Sequence, residues 1–197
     1  MGRLDRSPHR LLAATLLCAA VLVLTAPAAA AAGPPKGRFV VGDSIALSAN
    51  DELHQLDYAV NAKVGRQFGP GVWIVRHEAE LGRLPRRVIV HLGTNGSIDP
   101  DDCDRLVAAA GPARRIFLVT IKVPRSWELP NNETLRACAS RHDTVHVIRW
   151  WSKSHDHPEW FAKDGYHPNA DGQRVFARYV DRQVDAVLAG LRAGTAR

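Results

Sequence analysis

Short apolar runs alternate with helix-length amphipathic segments along most of this chain, and that alternation confines it to an α/β domain with a mostly parallel sheet. Residues 39–41 open the series. Residues 88–92, 116–121 and 145–150 repeat it, each rich in β-branched side chains and close to a turn or polar segment. Residues 45–56, 72–84, 101–110 and 133–141 have helix-compatible composition. The last helix is the clearest. From Asp171 onward, Val175, Phe176, Tyr179, Val180, Val184, Val187, Leu188 and Leu191 recur every three or four residues as one apolar stripe that must pack on the sheet. The expected architecture is a single-domain, three-layer α/β/α sandwich over residues 33–197, with no internal repeat.

Residues 1–32 do not read as part of that fold. Arg3, Arg6 and Arg10 precede an apolar run at 11–25, and Ala28 to Ala32 offer small-residue cleavage sites, the pattern of a secretory signal peptide. The apolar run is shorter than the roughly 20 residues a membrane-spanning helix needs. Cys18 follows Leu17 rather than a small residue, which disfavours a lipid anchor. The expected product is secreted to the cell-envelope side, without stable membrane insertion. Cleavage removes three arginines and Asp5, so 26 basic and 20 acidic residues become 23 and 19. A charge of about +4 suits contact with acidic polymers. No basic block interleaved with aromatics appears, which argues against nucleic acid. The chain is expected to act as a monomer. Cys103 and Cys138 remain after cleavage, and in an exported chain they are expected to form one structural disulfide.

Candidate chemistry collects at strand ends, where open parallel sheets hold their ligands. Gly42-Asp43-Ser44 lies between a strand and a helix, so Ser44 can present its hydroxyl at the sheet edge beside free backbone N–H groups. The plainer reading is that Asp43 or Ser44 only caps the helix. Asp164-Gly165-Tyr166-His167 precedes the last helix. A serine needs a base, and histidine titrates near the working pH, so His167 is the candidate base and Asp164 its orienting partner. Alone, the motif also fits an Asp turn followed by a solvent-facing histidine. Asn95, in Gly93-Thr94-Asn95-Gly96, could offer its amide to a developing oxyanion, a donor worth roughly 3 kcal/mol in a transition state. It could equally be a turn residue. Gly65 could add a backbone N–H.

In this order the four segments resemble the four blocks of the SGNH, or GDSL-type, hydrolases, and the resemblance spans nearly the whole expected mature chain. It implies the SGNH, flavodoxin-like fold, Ser44 as nucleophile, Asp164 and His167 as its triad partners, and an oxyanion hole from Ser44, Gly65 and Asn95. Residues 61–67 and 91–96 are worded most like the extracellular domains of peptidoglycan O-acetyltransferases. Gly96 departs from the family, many of whose members have Asp after the oxyanion asparagine, which leaves open what holds the Asn95 loop.

The implied reaction is two-step acyl transfer through an acyl-enzyme, with no cofactor and no metal. An esterase cleaving O-acetyl esters of a polysaccharide or peptidoglycan is the first expectation. An O-acyltransferase working with a partner donor is the second, and a catalytically silent wall-binding module on the same fold the third. Arg66 could bind an acidic substrate or pair with a local carboxylate. Trp151, with Trp150 and Trp160, forms either a sugar-stacking wall or ordinary packing. His155, Asp156 and His157 lack zinc-site spacing. Asn132-Glu133-Thr134 matches a glycosylation sequon.

Overall fold

The strands are short, four or five residues each, within the usual range for a globular sheet. They are β1 (Arg38–Gly42), β2 (Tyr58–Ala62), β3 (Arg87–His91), β4 (Arg115–Val119) and β5 (Val145–Ile148). All neighbouring pairs are parallel, in the order β2-β1-β3-β4-β5. The structure, a computed structural model, describes residues 37–195. The expected signal segment and Cys18 lie outside the described residues. No helix among the described residues is long and apolar enough to cross a membrane.

Helices fill both faces, as a parallel sheet requires. They are α1 (Ser44–Ser48), α2 (Asn50–His54), α3 (Phe68–Glu80), α4 (Pro100–Ala110), α5 (Glu128–Arg141), α6 (Trp150–Ser154) and α7 (Ala170–Thr195), with a 3₁₀ turn at Pro158–Trp160. Strand alternation divides the core. Val41, Val90 and Leu118 face Phe68, Val72, Leu106 and Leu135 on one side, while Val40, Ile89 and Phe117 face Ile45, Leu53, Phe176 and Val180 on the other. The three-layer expectation is therefore met. The expected apolar stripe of α7 is buried at Phe176, Val180 and Val184. Cys103 of α4 and Cys138 of α5 form the expected disulfide.

Several boundaries differ from the sequence reading. β2 was not anticipated, because only Tyr58 of its five residues is buried and an edge strand carries little alternating signal. The expected helix at 45–56 is two helices that meet at Ala49. The expected strand at 145–150 stops at Ile148, and Trp150 begins α6 instead. The sequon is structural. The Asn132 amide is buried and pairs with both the N–H and the carbonyl of Ile121 at 2.8 Å, so it is closed to modification.

Candidate active site

Strand order places the chemistry before any side chain is considered. The order reverses between β1 and β3, and such a switch point opens a crevice at the carboxyl ends of the strands. Gly42 is in register with Ala62 and with His91, so the segments holding Ser44, Gly65 and Asn95 leave three adjacent strands at one level.

Gly42 allows α1 to start immediately. A Cβ there would lie 2.3 Å from the Cβ of Ala46, nearer than packed atoms come. Asp43 caps α1 by accepting the Ile45 N–H at 3.0 Å, and Ser44 takes the first helical position, where backbone N–H groups lack intrahelical acceptors. Asp43 does more than cap. Fully buried, it also accepts from the Thr94 hydroxyl at 2.5 Å and lies 3.3 Å from His91 Nδ1. Burial would raise its pKa, but His91, Thr94 and the Ile45 N–H outweigh that and hold the carboxyl below its ordinary value. The nucleophile segment is thus joined to the β3 loop from beneath.

His167 and Asp164 arrive on a pinned turn. The Ala162 N–H donates to the His167 carbonyl at 2.8 Å, the Gly165 N–H to the Ala162 carbonyl at 2.9 Å, and Asn169 caps α7 just beyond. Lys122 braces the turn by donating to the Gly165 carbonyl at 2.5 Å while its ammonium lies over the Phe161 ring. Within the turn, one oxygen of Asp164 accepts the N–H groups of His167 (3.0 Å) and Tyr166 (3.1 Å). Its other oxygen lies 2.7 Å from His167 Nδ1. Desolvation opposes ionisation, yet the two backbone donors and the ring hold the Asp164 carboxyl below its usual pKa. On its far side, His167 Nε2 is 2.9 Å from Ser44 Oγ. Three residues drawn from both ends of the domain therefore form one hydrogen-bonded chain.

Gly65 adopts φ +73°, the left-handed region that favours glycine, with open space where a Cβ would stand. The Asn95 amide donates to Thr94 Oγ1 at 3.1 Å and to the Arg66 carbonyl at 3.3 Å, which ties the two expected oxyanion segments together. Gly96 leaves its loop supported by a different residue. Asn131 of α5 donates to the carbonyls of Gly93 (2.9 Å) and Gly96 (2.8 Å) and accepts the Ile98 N–H at 2.8 Å.

The remaining expected contacts are engaged elsewhere. The Arg66 guanidinium donates to the carbonyls of Gly42 and Asn61 and to the Asn61 side chain, binding the β2 turn to β1. Trp151 Nε1 donates to Glu128 at 2.6 Å, and its ring stacks on His155. Trp150 is core, edge-on to Phe176. His155 and His157 pair with Asp156 and Glu159 respectively, on different aromatic partners. Among the described residues, Cys103, Asp104 and His142 approach as metal ligands would, but the Cys103 sulfur is in the disulfide. Sequence reasoning missed Trp127, whose Nε1 donates to the Thr94 carbonyl at 3.3 Å beside Asn95.

A five-stranded parallel sheet with this order, carrying a hydrogen-bonded row of Ser44, His167 and Asp164 at its carboxyl edge, is the arrangement of the SGNH-type, or GDSL-type, fold. No protein-family model matches the chain. Its homologues are peptidoglycan O-acetyltransferases. It is 33% identical over 142 residues to YrhL of Bacillus subtilis, provisionally named a peptidoglycan O-acetyltransferase, covering 71% of this chain and 22% of that protein. It is 30% identical over 149 residues to the O-acetyltransferase OatA of Staphylococcus aureus, covering 74% of this chain and 24% of OatA. The chain thus corresponds to about a quarter of the length of these relatives. Among solved structures, the C-terminal catalytic domain of the Streptococcus pneumoniae peptidoglycan O-acetyltransferase OatA superposes with a TM-score of 0.69 at 22% identity, covering 80% of this chain and 97% of that one. A family 3 carbohydrate esterase of Clostridium thermocellum gives 0.65 at 14% identity, covering 80% and 99%. These superpositions establish the fold.

Proposed function

We propose that this domain is a serine acyl-transfer enzyme that removes O-acetyl groups from an envelope glycan. The reading rests on the chain Ser44 Oγ to His167 Nε2 to His167 Nδ1 to Asp164, at 2.9 and 2.7 Å. His167 takes the Ser44 proton as Oγ attacks the ester carbonyl, and Asp164 holds the ring in the tautomer whose Nε2 can accept. The amides of Ser44 and Gly65 receive the charge that develops on the carbonyl oxygen, joined by the Asn95 side chain when it exchanges one of its bonds to Thr94 and Arg66 for the oxyanion. His167 then returns the proton to the departing sugar hydroxyl, leaving acetyl-Ser44. Water, deprotonated by the same histidine, attacks acetyl-Ser44; the Oγ–acyl bond breaks, His167 returns the proton to Ser44 Oγ, and acetate leaves.

A second reading follows from the relatives, which are named O-acetyltransferases. In it a sugar hydroxyl replaces water in the last step. The basic, apolar and alanine-rich opening of the sequence supports export to the envelope, where either substrate would be met. The test is turnover of p-nitrophenyl acetate by the wild type beside Ser44→Ala, with and without a glycan acceptor. Free acetate alone supports hydrolysis, and acetylated glycan supports transfer. Equal inertness of both proteins across several acyl esters would overturn the proposal.

A further inference from the structure

The end of the sheet opposite Ser44 carries an incompletely neutralised row of cations. Arg38, Arg87 and Arg115 are the first residues of β1, β3 and β4 and are register partners across the sheet. Their side chains leave the face that Val40, Ile89 and Phe117 share two residues later, the face covered by α7. Arg38 is neutralised there, paired with Asp181 and, at 2.6 Å, with Asp185. Arg87 and Arg115 are not. One turn beyond Asp185, α7 presents Leu188 rather than a third carboxylate.

Leu188, Arg86, Arg87, Arg114, Arg115 and Thr144 line a cavity of about 230 Å³ that, among the described residues, no acidic side chain enters. Arg114 is fixed by the carbonyls of Leu84 (3.1 Å) and Ala110 (2.6 Å). Among the described residues, Arg86, Arg87 and Arg115 have no ion-pair partner. Arg87 and Arg115 are half-buried, and their guanidinium groups belong to adjacent strands. Nearby His146 does not offset them. Burial and the Arg115 charge both push its pKa down, favouring the neutral ring, and its buried Nε2 has no hydrogen-bond partner.

Like charges directly opposite in a sheet are destabilising, and partial burial weakens the screening that makes them tolerable at a surface. The paired, half-buried guanidinium groups of Arg87 and Arg115, in a concavity that Arg86 and Arg114 also line, match an oxyanion that can accept paired hydrogen bonds from more than one arginine. The cavity has room for such a group, at about 30 Å³ for each water it would displace.

We infer that this cavity is a binding site for a phosphate-type oxyanion, free or carried on a polymer or lipid surface. It lies at the amino ends of the strands, whereas Ser44, Gly65 and Asn95 lie at the carboxyl ends. An anion held there leaves the candidate active site open and would tether the domain to a phosphate-bearing matrix. The inference does not depend on the acyl-transfer reading.

The experiment titrates the wild type with inorganic pyrophosphate, linear polyphosphate and phosphatidylglycerol vesicles by calorimetry or co-sedimentation. Arg87→Gln/Arg115→Gln is compared with Arg174→Gln/Arg178→Gln, which removes two arginines from the outer side of α7, and circular dichroism checks folding of both. The first double variant is expected to bind pyrophosphate about a hundredfold more weakly, roughly tenfold per charged donor lost, while the second binds like wild type. Raising salt should weaken the wild type. Whichever of the polymer or the vesicles shows the same Arg87/Arg115 dependence identifies the source of the phosphate. Equal loss in both variants, equal binding by all three proteins, or no binding of any probe would overturn the inference.

Discussion

Replacing Asp164 by asparagine should disable the base without moving it. One Asp164 oxygen accepts two backbone N–H groups, at 3.0 and 3.1 Å, and only the carbonyl oxygen of an amide can take that position. The amide NH₂ is then forced to where the other oxygen lies 2.7 Å from His167 Nδ1. Two donors cannot face each other, so the imidazole must move its proton to Nε2, the atom 2.9 Å from Ser44 Oγ. A protonated Nε2 cannot accept the serine proton. The loss from such a tautomer error is about 10⁴-fold in kcat. Asp164→Ala should lose less, because the Asp164 side chain is 42% exposed and water can replace it as acceptor. The assay is steady-state hydrolysis of p-nitrophenyl acetate, with thermal melting to show that both variants remain folded. Asp164→Asn activity within about tenfold of wild type would refute the assignment of Asp164 as the group that fixes the ring.

Two further outcomes follow from the packing beneath Ser44. Gly42→Ala would put a Cβ 2.3 Å from Ala46 Cβ, so α1 must shift; overpacking of this kind costs about 1–3 kcal/mol, and displacement of Ser44 should lower kcat about a hundredfold. Thermal melting and turnover check the two parts separately. Asp43→Asn offers one acceptor oxygen where the carboxylate offers two to Ile45, Thr94 and His91, and should cost about 1–3 kcal/mol at neutral pH. The folded carboxyl titrates below its unfolded value, so its contribution is complete above about pH 4 and is lost as pH falls through the lower folded value. Urea denaturation from pH 7 down to pH 3 should therefore show the gap between variant and wild type narrowing in acid; a constant gap would contradict the argument.

Much of the architecture was legible because it is written in local periodicity. The β-branched runs that became β1, β3 and β4 are buried on both faces, and the stripe of α7 repeats over several turns. β2 escaped notice for the opposite reason, since one buried residue in five makes no pattern. The Ser44, Asp164 and His167 segments were readable from residue type and order, and they meet in one hydrogen-bonded chain. What holds them was not. Thr94 reaches Asp43 across 51 residues, Asn131 reaches Gly93 across 38, and Lys122 reaches Gly165 across 43. Contacts at such separations leave no local spacing to read. Arg66 shows the same limit, because a lone arginine beside a glycine gives no hint that backbone carbonyls will occupy its guanidinium.

The central claim is that Ser44 carries the acyl group. Acid quenching of the protein during turnover of p-nitrophenyl acetate, followed by peptide mass spectrometry, reads that directly. The account predicts an acetyl adduct on the peptide containing Ser44, absent when Ser44→Ala is treated in the same way. Turnover with no adduct on that peptide, or an equal rate from Ser44→Ala, would contradict it.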